Sequence, residues 1–339
     1  MNKTFKKTLL VAAVAALSAS ASMAAEVGTT NLLFPYVSSG SSAYTFLTVG
    51  NGGTTNTATT VHFVYGMKAA TAANSTGCEH GDGNGTLTAS DVMQFEMSGK
   101  VALPTALANG DTNNSFPWTG GADKVGFLML NNQASNGDQL YGSAVVVDTA
   151  SGLRMAYSTQ GYNTDSAANP DYTINNSGAA GGPEPLNNVD VTATGLTGYS
   201  SNHVVSWYAT PTVTSSWYVI PLGTEAKMSP SSAIGGVVGT YSMVNATADT
   251  GGAYDMKEAF SSGGLSTAVT CYGSVTRDLM LQSLALANTA KGGWAGLASN
   301  VTTASSGGVN PNHSLVYSVQ TTSAINGSAS NFINRVTHR

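Results

Sequence analysis

The 339-residue chain reads as mainly β: an antiparallel β-sandwich, built as two packed β-rich subdomains with one short helix near 277–290. Three observations predict this. Short runs of branched and aromatic residues alternate with polar ones at period two, the side-chain period of a strand. Clusters of Gly, Asn, Thr and Ser bound the runs and supply turn chemistry. Only 9% of the residues are charged, against 42% hydrophobic and 8% aromatic, whereas a soluble domain carries about 25% charged residues. So much apolar and aromatic surface does not belong to a disordered tract. The glycines follow no three-residue period and no heptads run through the chain, which excludes collagen and coiled coil. A formal net charge of −5 excludes a basic footprint for nucleic acid.

The first segment, 1–24, has the order of a secretory signal peptide. Lys3, Lys6 and Lys7 precede the apolar run Leu9 to Leu17, and Ser22-Met23-Ala24 forms a small-x-small cleavage site. Removing it leaves 10 basic against 18 acidic residues, a net charge of −8. No later segment holds the roughly 18 consecutive apolar residues of a membrane helix. The expectation is an exported protein of the cell surface or extracellular space, with the periplasm as a further destination.

Export makes the two cysteines a pair. Cys78 and Cys271 are the only ones in the chain, and an oxidising compartment favours a disulfide between them. Such a bond would tie the N-terminal subdomain (25–162) to the C-terminal one (199–339). Between them, 163–198 is rich in Gly, Asn and Pro and reads as a long loop or linker.

The strands follow in order. Tyr44–Val49 and Val61–Tyr65 flank a Gly/Asn-rich segment and read as a hairpin, as do Val125–Leu130 and Tyr141–Val147 around Asn131–Gln139. Val204–Tyr208 and Ser216–Ile220 share a Ser-Trp-Tyr repeat, with Pro211 in the turn between them. Alternation sends Trp207 and Trp217 to one face, a core, and the tyrosines to the other. Val237–Met243, Thr267–Tyr272 and Leu315–Thr321 complete the set. Ser90–Met97 fits either a strand or a capped helix. Arg277–Asn288 reads as a helix, with Thr276 as N-cap, Asp278 in the first turn and Gly292-Gly293 as the stop. A weak echo links Thr88 to Met93, after Cys78, with Thr276 to Met280, after Cys271, which raises an internal duplication.

Chemistry is sparse. No nucleophile elbow, zinc-protease, P-loop or dinucleotide glycine pattern is present, and the five histidines are scattered. No catalytic residues are assigned, and no cofactor is required. One constellation has metal-ligand spacing. Asp82, Asn84, Thr86 and the carbonyl of Thr88 recur at alternate positions, like the oxygen ligands of a calcium loop, with Asp91 or Glu96 as closing acid. Leu87 stands where that loop needs glycine and Met93 where it needs the bidentate acid. The same stretch also fits a Gly-rich turn with Asp82 bonding its own backbone. Trp118 and Trp294, flanked by Gly, Asn and Pro, are candidates for stacking on a ligand such as a sugar ring, or for plugging the end of a core.

The function expected is therefore structural, adhesive or assembly work at the cell surface, without catalysis. Partners would be further copies of the chain or other surface components. Sparse charge leaves sheet edges undefended, and Val27–Val37 could add to a neighbour's sheet. The alternatives are an outer-membrane β-barrel, weakened by few ten-residue alternating strands, and a polysaccharide-binding or polysaccharide-hydrolysing protein.

Overall fold

The computed structural model describes residues 31–52, 59–97, 123–132, 140–149, 153–162, 202–208, 213–221, 238–244, 251–281, 292–302, 314–325 and 328–335. The signal segment, Trp118 and the 163–198 linker lie outside them. The chain is mainly β and antiparallel. The first half forms β1 (Asn31–Ser39), β2 (Ala43–Asn51), β3 (Thr59–Ala69), β4 (Glu79–Leu87), β5 (Val92–Glu96), β6 (Lys124–Asn132), β7 (Leu140–Asp148), β8 (Leu153–Ser158) and β9 (Gln160–Tyr162). The second forms β10 (Asn202–Trp207), β11 (Val213–Pro221), β12 (Val238–Val244), β13 (Gly252–Asp255), β14 (Phe260–Ser262), β15 (Ser266–Thr270), β16 (Gly273–Thr276), a helix α1 (Arg277–Met280), β17 (Gly293–Thr302), β18 (Ser314–Ile325) and β19 (Ser328–Arg335).

Each half makes two sheets. The first has β4-β3-β6-β1-β9 and β5-β2-β7-β8; the second has β14-β13-β17-β12-β15, with β10 also on β17, and β16-β11-β18-β19. The pairing repeats itself. β1, β2, β3, β4, β5, β6, β7 and β8 correspond in turn to β10, β11, β12, β15, β16, β17, β18 and β19. The burial patterns of β2 and β11 agree over their last seven positions, so that Leu47 matches Trp217 and Val49 matches Val219. The duplication is thus one of topology. The echo in the sequence is not its trace, because Thr88–Asp91 precedes β5 whereas Thr276–Asp278 begins on the last residue of the corresponding β16 and runs on after it.

None of the three expected hairpins forms. β2 and β3 lie in different sheets, as do β6 and β7, and β10 and β11. In each case the chain crosses from one sheet to another between strands. Alternation fixes which face is buried but not which strand is the neighbour. Asn31–Ser39 is no spare strand either: it lies between β6 and β9 in its own sheet. Glu79–Leu87, read as a turn or calcium loop, is strand β4, paired along its length with β3. Ser90–Met97 resolves as β5, with Ser90 at φ 60° in the preceding turn.

Of the helix expected over Arg277–Asn288, Arg277–Met280 is described, and 282–288 lie outside the described residues. Thr276 caps it, its hydroxyl accepting from the Leu279 N–H, and Asp278 sits in the first turn. It ends at Met280 because Leu281 is extended and forms a β-bridge with Gly264, while the Leu265 N–H takes the Met280 carbonyl. Met280 and Leu281 are buried in the second core.

Two cores follow. Trp207, Trp217, Val219, Tyr241, Met243 and Leu297 are among the second. The first gathers Leu33, Phe34, Leu47, Val49, Phe127 and Leu128 of the first half, and with them Ile220, Tyr272, Leu315 and Tyr317 of the second. The β16-β11-β18-β19 sheet is therefore apolar on both faces: Trp217 and Val219 point into their own sandwich, Ile220 and Tyr317 toward the first half. At its edge, β19 runs against β8, the edge strand of the first half's β5-β2-β7-β8 sheet. The apolar interior of both sandwiches is the reverse of a membrane barrel, which turns polar residues inward.

Candidate functional site

The convergent chemistry of the molecule lies on the seam between the halves. Cys78 and Cys271 are disulfide-bonded there, with Cα atoms 5.9 Å apart. Cys78 immediately precedes β4 and Cys271 immediately follows β15. Cys271 adopts φ 63°, and the Tyr272 N–H closes a three-residue turn on the Thr270 carbonyl at 2.7 Å. That turn delivers both the thiol and the Tyr272 ring to the seam.

Lys68, near the end of β3, works as a clamp. Its Nζ donates to the carbonyls of Ala73, Asn74 and Thr76 at 3.0–3.2 Å and reaches the Thr270 carbonyl at 3.5 Å. Only 5% of the residue is exposed. Burial lowers its ammonium from the ordinary 10.5 to about 8. Asn74 continues the stitch: its side chain donates to the Ser274 carbonyl at 2.8 Å and accepts from the Ser274 N–H at 3.3 Å, and its carbonyl accepts from the Thr270 N–H. Ala70–Cys78 of the first half is thus sewn to Thr270–Ser274 of the second.

Four tyrosines fill the space beside it. Tyr36 meets Tyr218 edge-on at 5.1 Å, Tyr218 stacks on Tyr272 at 5.4 Å, and Tyr272 lies 6.0 Å from Phe127. The Tyr157 hydroxyl donates to the Tyr36 carbonyl, the Tyr36 and Tyr218 hydroxyls bond each other, and Tyr218 also bonds the Ser274 side chain. Burial raises all four phenols above their usual range. Among the described residues the buried Tyr272 hydroxyl has no hydrogen-bond partner. Next to this cluster opens a cleft of about 730 Å³, lined from both halves by Tyr36, Lys68, Asp123, Asp148, Tyr218 and Tyr272 among others. Periodicity placed Tyr218 of β11 on the face opposite Trp217, which is the face turned to the first half. Lys68 had one overlooked signal, a lone cation in the apolar strand Tyr65-Gly66-Met67-Lys68-Ala69.

The residues singled out from the sequence are dispersed. Asp82, Asn84 and Thr86 stand at alternate positions of β4, and Thr88 and Asp91 lie in the turn after it. Asp91 accepts from the Thr88 hydroxyl at 3.2 Å and from the Val92 N–H at 2.8 Å, which ties off the turn. An extended backbone does not wrap an ion as a calcium loop does. Among the described residues no group of three His, Cys, Asp or Glu side chains could hold a metal ion.

Trp294 is not in a loop but in β17. There it stands in a cross-strand row: Phe260 faces Tyr254, and Tyr254 faces Trp294. The Tyr254 and Trp294 rings stack at 4.5 Å and 13°, and Tyr254 meets Phe260 at 5.1 Å. On the other side Trp294 faces Ser206, which is exposed, and Tyr208 beyond it is 61% exposed. This outward aromatic row was invisible in the sequence because its three members come from three separate strands.

The chain matches no family model and no curated protein.

Proposed function

We propose that the chain is exported and works at the cell surface as a non-catalytic, structural or adhesive unit in which two sandwiches act as one body. The observation that carries this reading is the seam: a disulfide, the Lys68 clamp and a buried tyrosine cluster all join the halves. Lys68, the buried cation there, faces backbone carbonyls of both halves and is engaged in holding the fold. A surface protein under mechanical load gains from a covalent tie between its parts. The 1–24 segment and the cysteine pair favour export over the cytoplasm.

The test is where the native protein sits and in which redox state. Cell fractionation with thiol labelling should find it outside the inner membrane, lacking the first 24 residues, with no thiol that reacts before reduction. A cytoplasmic, unprocessed protein with two free thiols overturns the reading. The adhesive role is checked separately: wild-type protein on beads should bind the producing organism's surface or its extracellular polymer. The row Phe260, Tyr254 and Trp294 is the contact favoured for it, since exposed aromatic rows suit apolar or sugar-ring surfaces. Trp294→Ala with unchanged fold and unchanged adhesion removes that row from the account.

A further inference from the structure

The seam cleft has a chemical bias that a structural role does not use. Asp123 reaches it from just before β6 and Asp148 from the end of β7, and the two carboxylates are anchored on adjacent residues of the β1–β2 turn. Asp123 Oδ1 accepts from the Ser41 N–H at 2.6 Å, and Asp148 Oδ1 accepts from the Ser42 hydroxyl at 2.8 Å. Neighbouring residues have Cα atoms about 3.8 Å apart, so both negative charges are held at one lip of the cleft. Each carboxylate accepts several hydrogen bonds, so an anchor at one oxygen does not exhaust it.

Lys68 is the single cation among the described residues of the lining. Its ammonium is turned onto four carbonyls rather than toward the lip. Two carboxylates against one ammonium leave the lining with a net negative charge. The lining is also aromatic, from Tyr36 and Tyr218, with Asp148 close enough to act on the Tyr36 phenol, and the Tyr272 hydroxyl is buried there without a partner among the described residues. A volume of about 730 Å³ accommodates a small organic molecule. An anion would meet two like charges at entry, and a neutral ligand would desolvate them without return. A cation with an apolar body satisfies both kinds of group, its charge at the carboxylates and its body on the rings.

We propose that the cleft between the two halves binds a small primary amine, its ammonium held by Asp123 and Asp148, its body on Tyr36 and Tyr218, and a polar group on it meeting the Tyr272 hydroxyl. Three probes of one shape separate this from general stickiness: tyramine, its neutral analogue tyrosol, and anionic 4-hydroxyphenylacetate. Isothermal titration into the full, disulfide-bonded chain at pH 7 should show one tyramine per chain, at least tenfold tighter than tyrosol, with no heat from 4-hydroxyphenylacetate. Asp123→Asn with Asp148→Asn keeps shape and hydrogen-bond acceptors and should bring tyramine down to the tyrosol level, with the circular dichroism spectrum and Tm unchanged. Equal affinity for tyramine and tyrosol overturns the proposal, as does tyramine binding that survives both substitutions. If the double variant does not fold, the ranking of the three probes on the native chain decides alone.

Discussion

Trp207 and Trp217 meet edge to face across the second core, ring centroids 6.1 Å apart at 74°. The Ser-Trp-Tyr repeat that carries them suggests two strands side by side, yet β10 pairs with β17 and β11 with β16 and β18. The two indoles belong to opposite sheets and bind the layers together.

That contact sets the first prediction. Trp217 is fully buried and Trp207 nearly so, and truncating a buried Trp to Ala costs about 3–5 kcal/mol. Each single variant should lower the urea midpoint by that measure. The double variant should cost about 0.5–1.5 kcal/mol less than the sum, the coupling of an edge-to-face pair. Strict additivity would place the two rings out of contact.

The disulfide sets the second. Cys78 and Cys271 are 193 residues apart in the chain, and closing so long a loop is worth about 5 kcal/mol in the chain-entropy model, with measured losses for native disulfides of about 2–5 kcal/mol. Cys78→Ala with Cys271→Ala should lower the Tm by several degrees. On non-reducing gels the native chain should run faster than its reduced form and the variant should not. An unchanged Tm would mean that Lys68, Asn74 and the tyrosines hold the seam unaided.

The third concerns pH. The folded Lys68 loses its proton near 8, below the 10.5 of an ordinary lysine, so between those values the unfolded chain binds more protons and stability rises with pH. The tyrosines oppose this at higher pH. Tyr36, Tyr157, Tyr218, Tyr241 and Tyr272 keep their protons in the fold beyond the usual 10, so above about 10 the unfolded chain binds fewer protons and stability falls. Urea midpoints should climb from pH 8 to 10 and drop steeply after it. Lys68→Met should flatten the climb and leave the drop.

The fourth is steric. A Cβ on Gly126 would lie 1.9 Å from the Gly66 carbonyl oxygen, a backbone atom of the neighbouring strand β3. At Gly66 the nearest atoms are 3.0–3.1 Å away, on the Phe127 ring and the Cys271 sulfur. Gly126→Ala must therefore spread β3 from β6 and should abolish soluble expression, while Gly66→Ala should fold with a lower Tm. The reverse ranking would show that the strands approach less closely than described.

Much of the fold was legible because strands declare themselves by composition. Tyr44–Val49, Val125–Leu130 and Ser216–Ile220 lie within β2, β6 and β11, and Trp217 and Tyr218 take opposite faces, Trp217 toward the second core and Tyr218 against the first. What period two cannot encode is the partner: a run such as Val125–Leu130 is equally content beside Tyr141–Val147 or in a different sheet from it. Glu79–Leu87 escaped for another reason. Three glycines at alternate positions carry the composition of a turn, and only the full-length ladder with β3 makes it a strand. At the seam, the cysteine pair could be inferred from count and compartment, whereas Lys68 gains its meaning from carbonyls at Ala73, Asn74, Thr76 and Thr270 that no local pattern brings together.

The way β1 is placed bears on how the molecule is made. Its ladder sets Asn31 opposite Asn131, so the first of the described strands has no neighbour on that side until some hundred residues later. Its pairing must wait for the end of β6, and the chain completes that sheet late rather than stepwise. If the chain is exported as proposed above, that delay would leave it threadable through a translocation channel, with the disulfide closing afterwards.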